Sequence, residues 1–194
     1  MSTYEAQVER IWHILIGVNE SMHIVSRIQA FPLGKFVEPQ DVAFFWRLLV
    51  NNTGNAVVLR LHSLLNDDGG DTLTLRKLAN STRGWLKPQY QNWYTGRLRE
   101  AKFDAHLNDV AERLRDLRHT IAHIFVEQAG VPIRNETTIS ESEAVALFEA
   151  TVRLFPAASL TTEYVIDTRA YTIGGKCDPR PIDKLLDLVA KDSY

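Results

Sequence analysis

Apolar residues recur at steps of three and four along most of this chain, which is the spacing of one face of an α-helix. Val8, Ile11, Trp12, Leu15 and Val18 form the first such stripe and predict a helix over about residues 4 to 29. Phe31-Pro32-Leu33-Gly34 ends it, because proline lacks an amide hydrogen and glycine tolerates a turn. After Pro39 the stripe restarts at Val42, Phe45, Trp46 and Leu49 and runs on through Val57, Val58, Leu61, Leu64 and Leu65. Asn51 to Asn55, with Gly54 among them, is a weak spot at which that helix is expected to kink or break.

Asn66 to Asp71 is a loop by composition, and Asp71 or Thr72 is suited to cap a short helix reaching about Asn80. Ser81 to Pro88 reads as a further break. From Gln89 to about Gln128 the chain favours helix, with a bend expected near Phe103 to Asn108 and a buried stripe of Leu107, Val110, Leu114, Leu117, Ile121 and Ile124. Gly130-Val131-Pro132 closes it, and Val131 to Ile139 reads as an extended loop or a short strand. Ser140 with Glu143 three residues later is a capping box, predicting a helix to about Phe155. Weaker helical signals follow over residues 157 to 166 and 181 to 191. The expected architecture is one all-α domain over residues 1 to 194, a helical bundle with a core over about 4 to 155 and a C-terminal helical extension from about 156.

Composition narrows the function classes. Apolar residues make up 45% of 194, enough for a sizeable core, and the net charge of −2 excludes a chain that binds nucleic acid through a global positive field. Any RNA contact has to be a local basic patch. A single cysteine, Cys177, rules out an intramolecular disulfide and a cysteine-based zinc cluster, and no histidine adjoins it to make it a nucleophile. No apolar run approaches the roughly 20 residues that cross a bilayer. Met1 to Arg10 is polar and unlike a signal peptide, so a cytoplasmic location is expected. Gly69-Gly70 and Gly174-Gly175 lack the following Lys-Ser or Lys-Thr of a phosphate-binding loop.

The chemistry-bearing segment is Asp116-Leu117-Arg118-His119-Thr120-Ile121-Ala122-His123-Ile124, with arginine and histidine in an R-x4-H spacing on a predicted helix. It resembles the motif of the HEPN superfamily, in which an arginine, often followed by Asn, Asp or His, precedes a histidine in a late helix of the bundle. The earlier stretch Leu59-Arg60-Leu61, leading through an acidic loop to Thr72-Leu73-Thr74-Leu75, is similar to the AbiU2-like branch. Together the resemblance spans about residues 4 to 155. It implies a HEPN-like bundle that dimerises, so that the motif helices of two copies line one composite cleft. The activity implied is metal-independent endoribonuclease cleavage in a bacterial toxin–antitoxin or phage-defence (abortive infection) system, without cofactor, with RNA and a cognate antitoxin protein as partners.

Within that resemblance Arg118 would clamp the scissile phosphate, His123 would transfer protons and His119 would assist. Histidine exchanges protons at cellular pH, and the arginine fork matches phosphate. On a helix His119 and His123 share a face one turn apart, whereas Arg118 lies about 140° from His123. Arg118 and His123 therefore flank a wide face, as a composite site would require. Some HEPN toxins are adenylylated on a tyrosine two residues after this histidine. Here that residue is Phe125, which excludes such control at this position.

Other readings remain open. His119 and His123 could hold a metal at helical spacing, with His62, His106 or Asp116 available to converge on it. Arg118 could instead form a surface ion pair with Glu112 or Asp116. Between Arg83 and Arg118, eight basic residues face five acidic ones, with Tyr90, Trp93 and Tyr94 among them. Arg97, Arg113, Arg115 and Tyr94 are the candidate RNA contacts, the aromatics either stacking on unpaired bases or packing in the core. Trp12, Trp46 and Trp85 read as packing positions. A non-catalytic HEPN module that dimerises and binds RNA or protein, and a helical-bundle metalloprotein, are the competing functions.

Overall fold

In the computed structural model the apolar stripes become buried helix faces. The structure describes residues 3–32, 35, 38–66, 73–127, 141–161, 184 and 186–187. The side chains of 3, 29, 39, 42, 43, 45–47, 50, 51, 119–127 and 141 lie outside the description. The helices are α1 (Thr3–Ala30), α2 (Pro39–Leu65), α3 (Leu75–Trp85), α4 (Pro88–Glu100), α5 (Phe103–Glu127) and α6 (Glu141–Ser159). No strand occurs among the described residues, and the architecture is an all-α bundle. The expected loop or strand over 131 to 139, and most of the extension beyond 161, fall outside the described residues.

One apolar cluster joins α1, α2, α3, α5 and α6. Val8, Ile11, Leu15 and Val18 of α1 meet Val57, Val58, Leu61 and Leu64 of α2, Leu75 and Leu78 of α3, Leu107, Val110 and Leu114 of α5, and Leu147, Phe148 and Phe155 of α6. α2 packs on α1 and α5, and α6 packs on α3 and α5, whereas α4 lies at the periphery against α3, α5 and α6. α1 and α2 approach closely at Gly17, where an added Cβ would lie 3.3 Å from Arg60 Nη1, and Arg60 donates to the Gly17 carbonyl at 3.3 Å. The arginine of the Leu59-Arg60-Leu61 stretch thus serves helix packing. No described helix is long and apolar enough to cross a membrane.

The structure corrects several boundaries. α2 runs without interruption through Asn51 to Asn55, because a glycine costs only about 1 kcal/mol in a helix and the buried residues that follow hold its second half. α3 is capped by Thr74, whose hydroxyl accepts from Lys77 N at 3.2 Å, and it continues to Trp85 rather than ending near Asn80. Its buried Leu75, Leu78, Ala79 and Thr82 keep helical spacing through that stretch. The expected bend in the long basic segment is a full break at Ala101 and Lys102, just ahead of the expected region, with Lys102 in the left-handed region at φ 48. α6 passes through Pro156, since a proline in the last turn costs one hydrogen bond while the carbonyls beyond it find partners elsewhere.

Candidate nucleic-acid interface

The last carbonyls of α6 are satisfied by hydroxyls from three other helices. Thr82 Oγ1 of α3 lies 2.7 Å from Ala158 O, with Leu78 O at 3.0 Å. The Tyr94 hydroxyl of α4 donates to Ala158 O at 2.8 Å, with Ala157 O at 3.2 Å, and the Tyr4 hydroxyl of α1 donates to Ser159 O. Leu160 then turns out of the helix with φ 52, its amide donating to Pro156 O at 2.9 Å. A helix C-terminus leaves its final carbonyls without intrahelical partners, so these hydroxyls replace water inside the bundle. Burial pushes the Tyr94 hydroxyl up to about 12, opposed by its hydrogen bond with Thr82, and burial also raises that of Tyr4.

Tyr94 is therefore corrected as an RNA contact: it is 0% exposed, and no base can reach its ring. Tyr90 and Trp93 are about half exposed instead, and Arg97 lies over the Trp93 ring at 5.7 Å from its centroid. Trp12 is half-buried against the core, whereas Trp85 is exposed and stacks on Tyr4 at 4.9 Å between ring centroids. The side chain of Trp46 lies outside the described residues.

α5 carries the R-x4-H segment on one continuous helix. Arg118 is exposed, and both it and Asp116 make a polar or electrostatic contact within the chain. His119, His123 and Phe125 belong to α5, while their side chains, like those of Ile121 and Ile124, lie outside the described residues. Arg113 and Arg115 are exposed. Among the other residues considered for a metal, His62 is buried on α2 and His106 and Asp116 are exposed, and no group of three potential ligands forms among the described residues.

Two clefts open beside α3, one where it meets α4 and α5 and the other where it meets α5 and the end of α2. One, of 410 Å³, is lined by Arg76, Asn80, Arg83, Thr95, Arg99, Lys102 and Asp104. The other, of 540 Å³, is lined by Arg76, Lys77, Asn80, Asn108, Glu112 and Arg115. Arg76 and Asn80 belong to both, so the clefts adjoin. Arg76 Nη2 donates to Asn108 Oδ1 at 2.7 Å and lies 3.8 Å from Asp104, which joins α3 to α5 along the shared wall. Of the expected RNA contacts, Arg115 lines the larger cleft, and Tyr94 stands behind the wall of the smaller one with no exposed surface. Arg76 and Asn80 were hidden in the sequence, and Arg83 was legible only as one end of the basic stretch, because ending α3 near Asn80 separates residues that in fact share one helix face at steps of four and three.

The fold and this surface define an all-α bundle with a basic, cleft-bearing side beside its motif helix. No protein-family model, curated protein sequence or solved structure matches the chain.

Proposed function

We propose that this chain is a HEPN-like, metal-independent endoribonuclease, acting as a cytoplasmic homodimer in bacterial toxin–antitoxin or phage defence, with RNA as substrate and a cognate antitoxin as a further partner. The observation that carries this reading is that Arg118, His119 and His123 lie on one uninterrupted helix late in an all-α bundle, with Arg118 exposed. Arg118 and His123 differ by about 7.5 Å of rise and 140° of rotation, which suits a cleft shared between two copies.

In such a cleft a histidine takes the proton of a ribose 2′-hydroxyl, and the freed oxygen attacks the adjacent phosphorus. The bond to the 5′-oxygen breaks, a protonated histidine supplies that oxygen's proton, and the products are a 2′,3′-cyclic phosphate and a 5′-hydroxyl. Arg118 neutralises charge that grows on the phosphoryl oxygens. DNA has no 2′-hydroxyl and is not cut.

The test incubates purified protein with total RNA in EDTA, beside Arg118→Ala and His123→Ala variants. Cleavage that survives chelation, leaves cyclic-phosphate ends and disappears in both variants is the expected result. Cleavage unchanged in either variant removes the assignment, and activity lost only with EDTA points to the histidine pair as a metal site. A second reading, an RNA-binding module without cleavage, is favoured by the basic clefts and is the outcome if RNA is bound but stays intact.

A further inference from the structure

We infer that the adjoining clefts form one track that holds the sugar–phosphate backbone of single-stranded RNA and leads it along α5 toward Arg118. The inference rests on the ribonuclease reading for the identity of the strand, but its geometry is independent of cleavage.

Six cations line the two clefts against two carboxylates, Asp104 and Glu112, although the whole chain carries a net charge of −2. Positive charge is therefore concentrated here while the remainder of the molecule is acidic, which steers a polyanion to this side and away from others. Asp104 already faces Arg76. By contrast Arg99, Lys102 and Arg115 form no ion pair with another described residue, so their charge is directed outward rather than consumed in the fold. Asn80 adds a neutral hydrogen-bonding group to the lining, and the Thr95 hydroxyl, whose proton goes to Gln91 O at 2.9 Å, adds an acceptor for a ribose hydroxyl.

Lys102 sharpens the point. It occupies a left-handed backbone position at the α4–α5 junction that glycine would fill with less strain, and that junction places it on the lip of the smaller cleft. Cleft volumes of 410 and 540 Å³ are those of sites for small ligands, enough for a few nucleotides of one strand in sequence. A duplex and a membrane surface are both too broad to enter clefts of this size, whereas the backbone of one strand is narrow enough. Arg115 ends the track, and Arg118 follows about 4.5 Å further along α5 and about 60° round it.

The experiment measures anisotropy of a short fluorescein-labelled oligouridylate on full-length protein carrying Arg118→Ala, which prevents cleavage during binding. Arg99→Glu tests the smaller cleft, Arg115→Glu the larger, and Arg10→Glu, at an exposed position of α1, is the control; circular dichroism melting verifies that each variant is folded. Each cleft variant should weaken binding by about tenfold or more and flatten the salt dependence by about 0.7 for every phosphate no longer neutralised, with little change for Arg10→Glu. A duplex RNA of the same sequence should bind more weakly. Unchanged affinity in both folded cleft variants, an equal loss in Arg10→Glu, equal duplex binding, or displacement of RNA by polyglutamate at matched charge overturns the track. Oligothymidylate is the second probe: binding weaker than oligouridylate supports RNA as the strand, and tighter binding overturns it. Tight cleft-dependent binding without cleavage by the unsubstituted protein sinks the ribonuclease reading alone. Cleavage that is indifferent to Arg99→Glu and Arg115→Glu sinks the track alone.

Discussion

Two polar regions lie on either side of α3 and are built on opposite principles. At the end of α6, Tyr4 and Tyr94 turn inward and donate their hydroxyl protons to backbone carbonyls, and Thr82 Oγ1 sits within hydrogen-bond distance of Ala158 O. In the clefts, Arg83, Arg99, Lys102 and Arg115 are exposed, and the last three have no ion-pair partner among the described residues. A polar group buried without a partner costs about 1–3 kcal/mol, so the inward set must be complete. Exposed cations are solvated by water and leave stability almost unchanged, so the outward set is available for binding. Tyr94 and Arg83 illustrate the division: one is sealed among the helices, and the other stands on the rim directly after buried Thr82.

The contrast can be broken in order of effect. The largest change is expected away from both regions, at the motif: Arg118→Ala or His123→Ala should lower RNA cleavage by about 10²- to 10⁴-fold while the melting temperature stays within a few degrees, as read by a gel assay beside calorimetry. On the inward side, Tyr94→Ala should cost about 3–5 kcal/mol in urea unfolding, because it removes a fully buried ring as well as its hydroxyl. Tyr94→Phe should cost only about 1 kcal/mol, since Thr82 still reaches Ala158 O. Neither should alter RNA affinity at temperatures where the protein is folded, and a Tyr94→Phe protein that loses binding would contradict the division.

The pH dependence follows from the same hydroxyl. Tyr94 is raised from its ordinary 10.0 to about 12, so the folded chain holds this proton more tightly than the unfolded one. The stability that this contributes is complete below pH 10 and is lost as pH rises through about 12. Urea midpoints should fall across that window in the unsubstituted protein and fall less steeply in Tyr94→Phe. On the outward side the smallest effect is expected: Lys102→Gly relieves a left-handed backbone and should leave stability within about 1 kcal/mol, yet reduce oligouridylate affinity by removing a positive charge. A stability loss well beyond that range would place Lys102 among the structural residues instead.

Much of the fold was legible because period is local. The α1 stripe of Val8, Ile11, Leu15 and Val18 is buried where its spacing predicts, and Leu107, Val110 and Leu114 do the same on α5. Boundaries were less legible where a helix end depends on a distant partner. Pro156 looks like a stop, but α6 extends to Ser159 because hydroxyls from α1, α3 and α4 hold its carbonyls. Ser81 to Pro88 looks like a break, but Thr82 buries against α6 and carries α3 on to Trp85.

By itself the sequence determined an all-α chain and set Arg118, His119 and His123 together on one helix, since helical spacing converts directly into position on a face. Only the tertiary structure decided which of Tyr90, Trp93 and Tyr94 is inside. It also decided that Arg76 and Arg83 of α3, Arg99 of α4 and Arg115 of α5 meet along adjoining clefts. Those outcomes depend on how helices pack against one another, and contacts between residues far apart in the chain leave no period to read.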